Sequence, residues 1–180
     1  MRRKYPIWGS VLLAAALVWA VDFVTKNWAI NYLDGKAPRK VIGSFLQLTF
    51  TRNSGAAFSF ATGGTILLAV FAVLVILAIG FWAPRLTSRS WGVVLGLVLG
   101  GALGNLSDRI LRANSSTGLM KGQVIDWIEL PHWPIFNVAD SSIVVAAVIA
   151  TYLSLRNISP VIKKDPLQHE ATDDEDSHGT

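Results

Sequence analysis

The chain has 180 residues, 52% of them apolar and 16% charged, with a net charge of +4. A water-soluble domain carries roughly 25% charged residues, so the deficit points to lipid as the solvent for much of the chain. The absence of cysteine excludes disulfides, thiolate metal sites and cysteine nucleophiles. The basic residues flank apolar runs and form no continuous patch, which argues against nucleic acid as a partner.

Four stretches are long and apolar enough to cross a hydrocarbon core as helices. The first, about Ile7 to Ile30, follows Met1-Arg2-Arg3-Lys4 and looks like a secretory leader, but three further apolar segments make it a retained membrane helix. It contains Asp22 and Lys26, four apart on one helix face; they are either an ion pair that orients the span or part of an active site. A connection follows in which Leu46 to Thr51 alternates apolar and polar residues, the pattern of a half-buried strand. This predicts a small extracytoplasmic sheet across about residues 40–60, closed by the turn residues Asn53-Ser54-Gly55, with Phe58 and Phe60 at the lipid interface.

The second span, Thr65 to Ala83, is uncharged. The third, about Trp91 to Ser107, repeats glycine every fourth residue at Gly92, Gly96, Gly100 and Gly104, a ridge that admits a close neighbouring helix. Asp108 continues that ridge, so the polar end of this helix is expected to face protein. Asp108 and Arg109, beside Asn105, are read either as a helix-end polar network or as functional groups. The fourth span, Ile135 to Leu155, has a single charge, Asp140, near its start. Arg2, Arg3, Lys4, Arg85, Arg89, Arg156, Lys163 and Lys164 place both termini in the cytoplasm by the positive-inside rule. The opposite connections carry nearly as many cations, among them Lys36, Arg39, Arg52 and Arg112. Residues 163–180 are acidic and poor in apolar residues, which predicts a disordered cytoplasmic tail beyond a membrane domain of residues 1–162.

Asp126, isolated in Val124-Ile125-Asp126-Trp127-Ile128, and Asp140 lie near the same membrane boundary. Two carboxylates within hydrogen-bond reach share one proton and can activate water for attack on a carbonyl. Each acid alone is equally compatible with a satisfied structural role, and no periodicity in the sequence brings the two together. Other schemes fit less well. His132 is the one histidine outside the tail, which disfavours a multi-histidine metal site. No G-x-S-x-G and no phosphate-binding glycine loop is present. A carrier using intramembrane acids, or a non-catalytic assembly subunit packing through the glycine ridge, are the rival classes.

Five segments together resemble one family: Asp22 to Lys26, Thr51-Arg52-Asn53-Ser54-Gly55-Ala56-Ala57-Phe58, Gly104 to Arg109, Val124 to Trp127, and Phe136 to Ser141. In this order, and at these places relative to four spans, they resemble the lipoprotein signal peptidases (signal peptidase II) along about residues 5–157. The resemblance implies an aspartyl endopeptidase of the bacterial cytoplasmic (inner) membrane. Its fold would be an all-α polytopic bundle of four helices with a small extracytoplasmic β-subdomain. Such enzymes remove signal peptides from prolipoproteins bearing a diacylglyceryl-cysteine, cutting just before that cysteine. They need no metal or cofactor, and the cyclic peptide globomycin occupies their site. By this resemblance Asp126 and Asp140 are the catalytic pair, and Asn53, Asn105, Arg109 and Asn137 hold substrate or support the pair. Asp22, Lys26 and Asp108 are structural or supporting. Ser107 departs from the aliphatic residue common at its position, and the acidic tail exceeds the family core.

Overall fold

The computed structural model describes residues 7–55, 64–113 and 118–161. The leading cation cluster, Phe58, Phe60 and the acidic tail lie outside the described residues. Four helices are each long and apolar enough to cross a membrane: α1 (Trp8–Leu33), α2 (Gly64–Trp82), α3 (Arg89–Leu111) and α4 (Val138–Leu155). A three-stranded antiparallel sheet, β1 (Arg39–Ile42), β2 (Leu46–Asn53) and β3 (Val124–Glu129), accompanies them in the order β1-β2-β3. The helices alternate in direction, so the sheet lies at the end of the bundle where α1 and α3 finish and α4 begins.

Three helices differ from their expected spans by three residues or more at one end, the first being α1, which runs on to Leu33 rather than ending about Ile30. α3 continues to Leu111, so Asp108 and Arg109 sit inside its last turns rather than beyond them. An apolar window stops at the first charge, whereas the helix continues because Asp108 and Arg109 are buried against protein, 3% and 7% exposed. α4 starts at Val138, not Ile135, because Phe136 is drawn into an antiparallel bridge with Ile128 and Asn137 caps the helix.

The glycine ridge of α3 meets α1. A Cβ on Gly96 would lie 2.6 Å from both the Val11 carbonyl oxygen and the Ala14 Cβ, and one on Gly100 would lie 2.6 Å from the Val18 Cβ. Gly101, on a different face, abuts the Ala139 carbonyl of α4. The two contacts bring α1 and α4 to α3 at backbone distance, which is how charged groups on all three helices converge at one end. Val94, Ala146 and Leu153 complete the α3–α4 contact, and Val11, Ile79, Ala83 and Leu86 hold α2 to the bundle. The outward faces of the helices remain apolar: Leu13, Leu17, Phe71, Leu77 and Val148 are all exposed, as lipid contact requires.

Candidate active site

Strand register builds the first half of the site. Thr51 pairs with Asp126 and Asn53 with Val124, so Asn53 is the diagonal same-face neighbour of Asp126. Asn53 Nδ2 donates to Asp126 Oδ2 at 2.9 Å, while Asn53 Oδ1 accepts from the Gly55 N–H at 2.7 Å and is thereby oriented. Behind β3, Ile125 is fully buried among Ala29 and Leu33 of α1, and Trp127 meets Trp28 edge-on at 5.5 Å. Asp126 itself is 1% exposed.

The bridge from Ile128 to Phe136 builds the second half. The Phe136 N–H donates to the Ile128 carbonyl at 3.0 Å, and the Phe136 carbonyl accepts from the Ile128 N–H at 2.9 Å. The next residue, Asn137, is thus fixed beside β3 and caps α4. Its Oδ1 accepts from the Asp140 N–H at 3.0 Å, and the Asp140 Oδ2 accepts from the Asn137 N–H at 3.2 Å, a reciprocal capping box. The same Asn137 donates through Nδ2 to Asp126 Oδ1 at 2.6 Å. One buried asparagine therefore touches both carboxylates, so Asp126 and Asp140 share a neighbour that no periodicity in the sequence gives them.

Asn105 of α3 closes the network. Its Nδ2 donates to Asp140 Oδ1 at 2.8 Å, and its Oδ1 accepts from Asn137 Nδ2 at 3.2 Å and from Lys26 Nζ at 2.9 Å. Lys26, fully buried, is ion-paired with Asp22 at 2.7 Å and with Asp108 at 3.1 Å. Asp22 Oδ1 accepts the Ala139 N–H in the first turn of α4 at 2.9 Å, where a carboxylate also complements the helix dipole. Asp108 accepts from the Ile125 N–H of β3 at 3.0 Å and from Arg112 Nε at 2.6 Å. The Asp22–Lys26 pair expected from i,i+4 spacing exists, and it ties α1 to the ends of α3 and α4.

Arg109 donates to the Asn105 carbonyl at 3.1 Å, lies in the electrostatic field of Asp108, Asp140 and Asp126, and keeps a buried Nε–H with no partner among the described residues. Burial, together with the nearby Asp140 charge, pushes the Asp126 carboxyl up to about 6, while the Asn53 and Asn137 amides and Lys26 oppose the rise. His132 stands on an exposed turn with positive φ and forms no hydrogen bond or ion pair with this network among the described residues.

Two contributors do not stand out in the sequence. Arg112 reads there as one of the loop cations, although its i,i+4 spacing from Asp108 is a usable signal. Phe136, which aligns Asn137 with β3, falls within the expected fourth span, and nothing local in the sequence marks its bridge.

Fold and site together define a multi-pass membrane protein with an acid-centred polar site at one end of a four-helix bundle. The family model described as Signal peptidase (SPase) II matches residues 14–156. A lipoprotein signal peptidase of Mycobacterium avium is 45% identical over 145 residues, 81% of this chain and 78% of that one. One from Rhodococcus jostii is 43% identical over 150 residues, 83% of this chain and 74% of that one. A solved bacterial membrane enzyme, determined by the in meso method at 1.9 Å, superposes with a TM-score of 0.73 at 29% identity, covering 86% of this chain and 97% of the other. The chain belongs to the signal peptidase II family and is a membrane protease.

Proposed function

We propose that the protein removes signal peptides from diacylglyceryl-modified prolipoproteins, cutting before the lipidated cysteine, with Asp126 and Asp140 as an aspartyl dyad. The relatives' function as lipoprotein signal peptidases supports the substrate class. The observation that carries the dyad is Asn137, whose side chain and backbone hold one carboxylate each.

We assign different roles to the two acids from their surroundings. Asp140 is the third residue of α4, accepts a backbone N–H and the Asn105 amide, and lies where the helix dipole favours negative charge. Asp126 is on a buried strand with its carboxyl raised to about 6. Neither Asp126 nor Asp140 has an ion-pair partner among the described residues, so burial and helix position are what distinguish them. Asp126 therefore carries the shared proton and Asp140 is the base.

In the reaction, Asp140 takes a proton from water as the water oxygen bonds to the scissile carbonyl carbon. Asp126 gives its proton to the carbonyl oxygen, forming a neutral gem-diol. Asp140 then passes its proton to the amide nitrogen as the C–N bond breaks, and Asp126 recovers a proton from the diol hydroxyl. The free Nε–H of Arg109 binds a substrate carbonyl, and globomycin competes for this same site. The site faces the outer leaflet of the bacterial cytoplasmic membrane, with both termini cytoplasmic, so that a membrane-spanning lipidated precursor enters sideways between helices.

The test is cleavage of a lipidated precursor followed by gel shift. Asp126→Asn and Asp140→Asn, each confirmed as folded, should both abolish turnover. Normal turnover by either removes the dyad.

A further inference from the structure

At the same end of the bundle, apart from the acids, a cavity of about 420 Å³ opens beside the last turns of α1. Its walls include Trp28, Tyr32, Leu33, Lys36, Pro38 and Arg39. We propose that this cavity binds the phosphate headgroup of an anionic phospholipid, held by Lys36 and Arg39 above the aromatic pair.

Charge favours that occupant. The lining carries two cations and no carboxylate. The nearest acid in sequence, Asp34, is engaged by Arg52 at 2.6 Å, and neither Lys36 nor Arg39 forms an ion pair among the described residues. A phosphodiester supplies the missing negative charge.

Depth favours a lipid over a soluble anion. Trp28 and Tyr32 stack at 6.0 Å on the final turns of a membrane-spanning helix, where amphipathic rings mark the boundary between hydrocarbon and headgroups. Lys36 and Arg39 follow directly and reach the headgroup layer. The tip of the adjoining β1–β2 hairpin exposes Val41, Ile42 and Phe45 at 53%, 59% and 64%. A basic cavity beside an apolar tip matches a headgroup with its acyl chains alongside. The cavity also borders the acid site, since Trp28 packs on Trp127, next to Asp126. The bound lipid would sit at the edge of the site and not within it.

Full-length protein in neutral detergent is titrated with dioleoyl phosphatidylglycerol, dioleoyl phosphatidylcholine or glycerol phosphate and read by native mass spectrometry. Each headgroup-level cation contributes about fivefold, so one phosphatidylglycerol should bind roughly 25-fold more tightly than phosphatidylcholine. K36Q/R39Q should bring the two lipids to within about twofold, each single variant should lose about half the preference on a logarithmic scale, and Arg156→Gln at the opposite end should lose none. Gel filtration of each variant checks folding; should the double variant fail it, the two singles decide. Equal affinity for the two lipids, or a preference that survives loss of the cations, overturns the proposal. Binding of glycerol phosphate as tight as that of the lipid assigns the cavity to a soluble phosphate instead. A raised KM for precursor with lipid preference intact assigns it to the substrate peptide.

Discussion

Replacing Asp126 by Asn isolates one proton. Moving a carboxyl from its ordinary 3.8 to about 6 corresponds to about 3 kcal/mol. The folded protein holds this proton more tightly than the unfolded chain does. The resulting stabilisation is complete below pH 3.8 and is lost as pH rises through about 6. The residue is 1% exposed, so solvent screening takes little from this figure. An asparagine at 126 does not titrate. It accepts from only one of Asn53 and Asn137 and turns an N–H toward the other, which costs roughly 1–3 kcal/mol at every pH. The absolute change is therefore small or unfavourable at low pH, and the slope is the clean observable. Between pH 4 and 8 the stability of the native protein should fall relative to Asp126→Asn by about 2.5 kcal/mol, or roughly 5–10 °C in Tm. Thermal unfolding in detergent micelles across that range measures it. A difference that stays flat, or that slopes the other way, refutes the protonated Asp126 and restores it as an ordinary charged acceptor of two amides.

Lys26→Met should destabilise by about 3–5 kcal/mol, because it leaves buried Asp22 without its ion-pair partner, while Asp108 keeps Arg112. Lys26→Met combined with Asp22→Asn should lose less than the sum of the single changes, and strict additivity in detergent unfolding contradicts the coupling. Gly96→Ala should cost about 1–3 kcal/mol by forcing α1 from α3, whereas Gly80→Ala, with nothing within 4 Å, should gain up to ~1 kcal/mol; equal effects contradict the close approach. The kcat/KM for precursor cleavage should fall as pH rises through about 6, where Asp126 loses its proton. Asn53→Ala removes a donor that favours the ionised carboxyl, so it should move that falling limb to higher pH; a move to lower pH contradicts the role of Asn53.

The four spans were legible because burial in lipid demands long apolar runs, and the charges interrupting those runs, Asp22, Lys26, Asp108 and Asp140, were visible against them. The glycine ridge was legible as a contact face, but its partner was not, since a ridge of small residues fits any helix; Val11, Ala14 and Val18 of α1 supply the answer only in three dimensions. β2 announced itself by alternation. β3 did not, because Val124, Ile125 and Asp126 are buried on both faces and show no period of two. The bridge between Ile128 and Phe136 is what joins the two acids, and it depends on a turn and a strand register that no local pattern encodes. Asn137 was legible as a motif position, while its double hold on Asp126 and Asp140 follows from that bridge.

Infrared spectroscopy of protein labelled at the aspartate carboxyl carbons tests the shared proton most directly. Near pH 5.5, a protonated carboxyl band should be present in the native protein, persist in weakened form in Asp140→Asn because burial still raises Asp126 without the Asp140 charge, and vanish in Asp126→Asn. A spectrum with no such band, or one in which the band disappears with Asp140 and survives the loss of Asp126, contradicts the assignment of acid and base.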